Sequence, residues 1–300
     1  MINVASGSVG PGAKAALEEI VSGFGLEVRA VECQPAQIPE AVKAAVDARP
    51  DLVVVLAGDG TARLAAELCG PDGPLVAPLP GGTMNMLPKA LYGTRNWREA
   101  LDAALAEGVV RPVSGGEVGG KAFYVAAILG APALWADARE AMRAGKLTLA
   151  FMRAQRALNR AFSGRLRYVL DGAWIRKAEA LTLICPLVSR VLTDEQALEA
   201  DGLNPAGAAE AFRLALKAGL SGVLGDWRAD PAVSSQICRA GRVWAKGWIP
   251  AILDGEPQRF DRAVTFSFRP DAFRALAPPQ AEPTEEPAEV ISDSVKSATA

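Results

Sequence analysis

The chain has 300 residues, half of them hydrophobic and 22% charged, so it can bury a sizeable core and is not globally disordered. Its formal net charge of −2 gives no overall pull towards nucleic acid, and no nucleic-acid partner is expected. It contains no histidine and four scattered cysteines, Cys33, Cys69, Cys185 and Cys238. Zinc sites and triads built on histidine therefore lack material, and acid–base work falls to Asp, Glu, Lys or Tyr.

In chain order, GAKAALEEIVSGF (12–24) predicts a helix and LEVRAV (26–31) a strand. A helix over 37–48, a strand over 51–57, a helix over 61–69 and a strand over 74–80 follow. Helical patterns then cover 85–92 and 96–108. Strands alternating with helices predict a parallel sheet covered on both faces, with ligands at the carboxyl ends of its strands. MINVASGSVG has neither the basic region nor the apolar run of a signal peptide, and no window reads as a spanning helix. Free thiols and a cytoplasmic setting are expected.

From about residue 109 strands follow one another without helices between them: 109–130, 165–188, 234–248, 250–255 and 263–268. This predicts an antiparallel sandwich with helical inserts at 131–162 and 206–220. Residues 278–300, rich in Pro, Glu and Ser, are expected to be disordered. The expected division is an α/β unit over 1–112 and a β-rich unit over 113–267. Trp227, Trp244 and Trp248 are expected to fill the core.

Two loops hold candidate chemistry. Ala57-Gly58-Asp59-Gly60-Thr61 follows the strand 51–57, and Pro80-Gly81-Gly82-Thr83-Met84-Asn85-Met86 follows the strand 74–80. Small residues let backbone N–H groups approach a phosphate, and each loop opens a helix. Asp59 could orient a magnesium ion or act as a base; a tight turn with a helix cap also explains the first loop. GSVGPGAKA (7–15) lacks the adjacent Gly-Lys-Ser/Thr of a P-loop, and no GxGxxG follows a strand.

These two loops resemble the paired signatures of the diacylglycerol kinase catalytic family, which includes sphingosine and ceramide kinases. Asn3-Val4-Ala5-Ser6-Gly7, Asp201-Gly202-Leu203 and Asp254-Gly255-Glu256-Pro257 resemble three further elements of that family, in the same order. The resemblance implies a nucleotide-binding domain like that of NAD kinases and phosphofructokinases, and a β-rich lipid-substrate domain, with 268–277 packing back on the first. It implies transfer of the γ-phosphoryl of ATP, with Mg2+, to a lipid hydroxyl, diacylglycerol first and ceramide or a sphingoid lipid second. Carried over, Asn3, Ser6, Gly58, Gly60, Thr61, Gly82, Thr83 and Asn85 would contact the nucleotide. Asp59, Asp201 and Glu256 would serve the metal, and Asp254 or Asp59 would be the base. Met86 stands where the family usually has aspartate. NAD kinase is the enzymatic alternative, and a catalytically weak lipid-binding protein of the same fold is the other.

The segment 136–167 carries eight basic residues, Arg139, Arg143, Lys146, Arg153, Arg156, Arg160, Arg165 and Arg167, against Asp137 and Glu140. Interleaved with Leu147, Leu149, Phe151, Met152, Leu158 and Phe162, it reads either as a basic amphipathic helix on an anionic membrane or as a helix with a solvated basic face. The expected location is peripheral, on the inner face of the membrane.

Overall fold

A computed structural model describes residues 1–94, 96–130, 133, 166–189, 192, 196–204 and 230–279. The expected helical inserts, the acidic tail and most of the basic segment lie outside them.

The first half alternates as its pattern predicts: β1 (Ile2–Asn3), α1 (Ala13–Gly23), β2 (Glu32–Cys33), α2 (Ile38–Asp47), β3 (Leu52–Ala57), α3 (Asp59–Cys69), β4 (Leu75–Pro80), α4 (Met86–Tyr92) and α5 (Trp97–Glu107). β1 pairs in parallel with β2 and β3, and β3 with β4. Residues 26–31, expected as a strand, are not one. Only Glu32 and Cys33 ladder with β1, since β1 is itself two residues long; Val31 contributes its carbonyl to the Ile2 N–H.

The second half is built of strands: β5 (Val109–Val118), β6 (Lys121–Phe123), β7 (Ala126–Gly130), β8 (Leu166–Leu170), β9 (Arg176–Ala178), β10 (Ala180–Ile184), β11 (Leu198–Leu203), β12 (Val233–Cys238), β13 (Ala240–Trp244), β14 (Ile249–Leu253), β15 (Glu256–Phe260) and β16 (Ala263–Ala277). β7, β10, β11, β12, β14 and β15 form a six-stranded antiparallel sheet in the order β12-β11-β10-β7-β14-β15. The long β16 joins the halves. It pairs in parallel with β4 at Ala275–Val76 and antiparallel with β5 and β13, so one sheet runs from β2 to β9.

Alternation along these strands fills the core between the sheets. Leu166, Tyr168 and Leu170 of β8 meet Leu181 and Leu183 of β10, Ala127 and Leu129 of β7, and Ala251 and Leu253 of β14. A separate core joins Val53, Val55, Ala62, Ala65 and Val76 of the first half to Val113, Tyr124 and Phe273 of the second. Tyr124 meets Phe273 edge to face at 4.9 Å between ring centroids. Trp244 and Trp248 are half-buried rather than core residues, and the Arg259 guanidinium lies 4.3 Å over the Trp248 ring. No helix among the described residues is long and apolar enough to cross a membrane.

Candidate functional site

Three loops meet at the carboxyl ends of β1, β3 and β4. Asn3 closes a turn by accepting from the Ala5 N–H through its side chain and from the Ser6 N–H through its carbonyl. The following Ser8 docks on the third loop, its N–H donating to the Gly81 carbonyl at 3.0 Å and its hydroxyl to the Gly82 carbonyl at 2.9 Å. Thr61 is half-buried in the first turn of α3, while Thr83 is exposed at the third loop.

The glycines of these loops answer first to one another. A Cβ on Gly82 would come within 2.6 Å of the Gly58 Cα, and one on Gly81 within 2.7 Å of the Ala57 nitrogen. Only glycine lets the two adjacent strand ends close this tightly. Asn85 is buried, left-handed at φ 51°, and committed to the same loop. Its Oδ1 accepts from the Gly82 N–H at 2.7 Å and its Nδ2 donates to the Gly82 carbonyl at 2.9 Å.

Asp59 is not the cap of α3. Gly58 occupies that position and Asp59 is the first helical residue, buried, with Oδ1 accepting from the Leu87 N–H in the first turn of α4 at 3.3 Å. Burial raises its pKa above the usual 3.8. The N–H groups of Leu87, Met86 and Asn85 oppose that shift, and the nearby charge of Glu256 adds to it.

Asp254 and Gly255 are the two central residues of the β14–β15 hairpin, with φ of 46° and 85° and Leu253 paired to Glu256. An ordinary hairpin turn is exposed, but Asp254 is 2% exposed. Its Oδ2 accepts from the Tyr124 N–H at 2.7 Å, and its Oδ1 from Val125 at 2.9 Å and Ala126 at 3.0 Å. Burial still pushes the carboxyl up to about 6, against those N–H donors and the positive charge of Arg63.

The hairpin tip closes on both glycine-rich loops. A Cβ on Gly60 would lie 3.5 Å from Glu256 Oε1, and one on Gly255 3.5 Å from Met86 Sδ. Glu256 thus lies beside the turn that carries Asp59, while Asp254 of the same hairpin is held against the Tyr124–Ala126 backbone.

Asp201 does not join them. It is fully buried in β11, in register with Thr182 and, through β10 and β7, with Ile128 and Ile252. Four strand spacings separate β11 from Glu256 on β15, about 19 Å. Among the described residues no three His, Cys, Asp or Glu side chains converge on one point.

Arg63 is the site residue that motif reading misses. It lies one turn after Asp59 on α3, and its charge bears on Asp254 and Tyr124. Its Nε and Nη1 are buried and lack a hydrogen-bond partner among the described residues. The available signal was its spacing: i and i+4 share a helix face.

Residues 1–118 match the diacylglycerol kinase catalytic domain family, which bears out the resemblance read from the loops. Among solved structures, a diacylglycerol kinase from Bacillus anthracis str. Sterne superposes with a TM-score of 0.67 at 15% identity, over 93% of this chain and 95% of that one. A putative diacylglycerol kinase from the same strain gives 0.68 at 17% identity, over 93% and 96%. Another gives 0.61 at 18%, over 83% and 86%. At these identities the likeness is one of fold: an α/β unit with a mainly parallel sheet followed by an antiparallel β-rich unit. No match was found among curated proteins.

Proposed function

We propose, from residues 1–118 belonging to the diacylglycerol kinase catalytic domain family, that the chain is a kinase that transfers the γ-phosphoryl of ATP to a lipid hydroxyl. The observation that carries this reading is the approach of the Asp254-Gly255-Glu256 tip to Gly60 and Met86. It sets carboxylates beside loops whose backbone can receive phosphates.

Phosphoryl transfer needs positioning and charge neutralisation more than covalent chemistry. The nucleotide phosphates would lie along the loops at Asn3–Ser6, Gly58–Thr61 and Gly82–Asn85. The donor set suits a hard divalent cation, because Glu256 places a second negative charge against Asp59, a strain that a cation relieves. Asp59 and Glu256 would hold a magnesium ion, which when bound neutralises phosphate charge. Asp254, fixed by its three N–H donors, would take the proton of the acceptor hydroxyl; Asp59 is the other candidate for that base. Diacylglycerol is the first acceptor to test and ceramide the second, at a membrane surface.

The test is transfer of labelled γ-phosphate from ATP-Mg to a panel of detergent-dispersed lipids and NAD, with Asp59→Ala and Asp254→Asn beside the parent. A labelled lipid, lost in both variants, is expected. Label on NAD moves the chain to the dinucleotide kinases. A folded chain that binds lipid and labels nothing is a lipid-binding protein.

A further inference from the structure

The β8–β9 hairpin ends in an apolar tip that no element among the described residues uses. Asp171 and Gly172 turn the chain with φ of 46° and 73°. The turn is fixed to β13, because the Asp171 carboxylate accepts from the N–H groups of Arg239 and Ala240. The chain beyond then carries Trp174 at 90% exposure and Ile175 at 64%, two adjacent large apolar side chains in water. Isolated exposed apolar residues are ordinary; an exposed Trp-Ile pair on an anchored tip is not.

Behind the tip the sheet is cationic. Leu166, Tyr168, Leu170, Ala178 and Val243 point into the core, so Arg167, Lys177 and Arg242 point out. Arg167 is paired directly with Lys177, and on its other side with Trp244. Two like charges opposite each other on one face oppose pairing unless an anion lies over them. Arg176, in register with the inward Tyr168, lies on the other face, where it donates to the Ser234 hydroxyl at 3.2 Å; β8, β9 and β13 contain no acidic residue. Arg167, expected within the basic helix, is thus an outward residue of a strand, and β9 ends the sheet.

We propose that this tip and the cationic strand face behind it dock the chain on an anionic lipid surface. Trp174 and Ile175 would enter the interface, and Arg167, Lys177 and Arg242 would lie at the headgroup phosphates. Charge selects this occupant over a second copy: in a two-fold dimer the cationic patch would face itself. The surface uses none of the carboxylate-site residues, so docking can be measured without phosphoryl transfer and stands or falls apart from the kinase reading.

The test is sedimentation of the full chain with vesicles of phosphatidylcholine alone and of equal parts phosphatidylcholine and phosphatidylglycerol. The parent should bind the anionic vesicles and largely ignore the neutral ones. W174S/I175S should weaken binding at least about tenfold. R167Q/K177Q should weaken it about twenty-fivefold, at about fivefold per charge. K43Q on α2 should change nothing. W174F should still bind yet lose most of the fluorescence quenching by brominated lipid, which answers the question even where the serine variant does not fold. Parent-like binding by both double variants overturns the proposal, as does equal binding to neutral vesicles. A dimer that W174S/I175S dissolves, without vesicle binding, overturns it in favour of a self-interface.

Discussion

Glu256 lies against the helix-opening turn that carries Asp59: its Oε1 is 3.5 Å from where a Cβ of Gly60 would sit, and its charge adds to the upward push that burial gives the Asp59 pKa. A cation between two neighbouring carboxylates would offset that repulsion. Glu256→Gln should therefore raise the magnesium concentration needed for half-maximal transfer by at least about tenfold. Asp201→Asn, about 19 Å away across the sheet, should leave that concentration within about twofold. Magnesium titrations of the two variants decide it; a large shift in Asp201→Asn would mean that Asp201 reaches the same ion.

The fit of Gly82 against Gly58 makes a prediction about stability rather than activity. A Cβ at Gly82 meets backbone at 2.6 Å and one at Gly81 meets backbone at 2.7 Å, and backbone cannot step aside as a side chain can. Gly82→Ala and Gly81→Ala should each cost about 1–3 kcal/mol in urea unfolding. Gly58→Ala meets only the Gly82 Cα at 3.7 Å, an ordinary contact, and should cost about 0.5 kcal/mol or less. Equal losses at all three positions would sink the close-approach account.

Local pattern made the first half legible. Val53, Val55 and Leu56 form a buried apolar run, and the Gly-Asp-Gly after it marks both the turn and the helix start. Pattern failed where pairing decides. Asp201-Gly202 resembles a turn, yet it is the middle of β11, flanked by β10 and β12. The meeting of Ala275 with Val76 is a choice of partner far along the chain that no window of sequence contains, and only the family resemblance led one to expect it. In the site, the carboxylates were legible through their glycine neighbours. Arg63 was not, because an arginine on a helix ordinarily reads as surface.

Arg63 combines a cost with a use. Two of its buried donors have no partner among the described residues, so Arg63→Met should leave the melting temperature unchanged or higher. The same change removes the positive charge that lowers the pKa of Asp254. If Asp254 is the base, the acid limb of the transfer rate should move to higher pH in Arg63→Met. A variant with both parental stability and a parental pH profile would show that Arg63 does not act on Asp254.

Asp254 makes stability itself depend on pH. Burial pushes its carboxyl up to about 6 in the folded chain, from the usual 3.8. Between those values the native state keeps a proton that the unfolded state has lost, so stability falls as pH rises through the window. The total, about two units, is about 3 kcal/mol. The three N–H donors from Tyr124, Val125 and Ala126 lessen this loss without cancelling it. Asp254→Asn cannot titrate, and its amide N–H groups would face those donors. The variant should therefore be less stable than the parent, by the widest margin near pH 4. The margin should narrow by up to about 3 kcal/mol by pH 7 as the parent ionises. Urea unfolding of both chains in the presence of a chelator measures it. A margin that widens with pH would mean that the pocket favours the carboxylate over the acid, and Asp254 would then need no proton loss to serve as base at neutral pH.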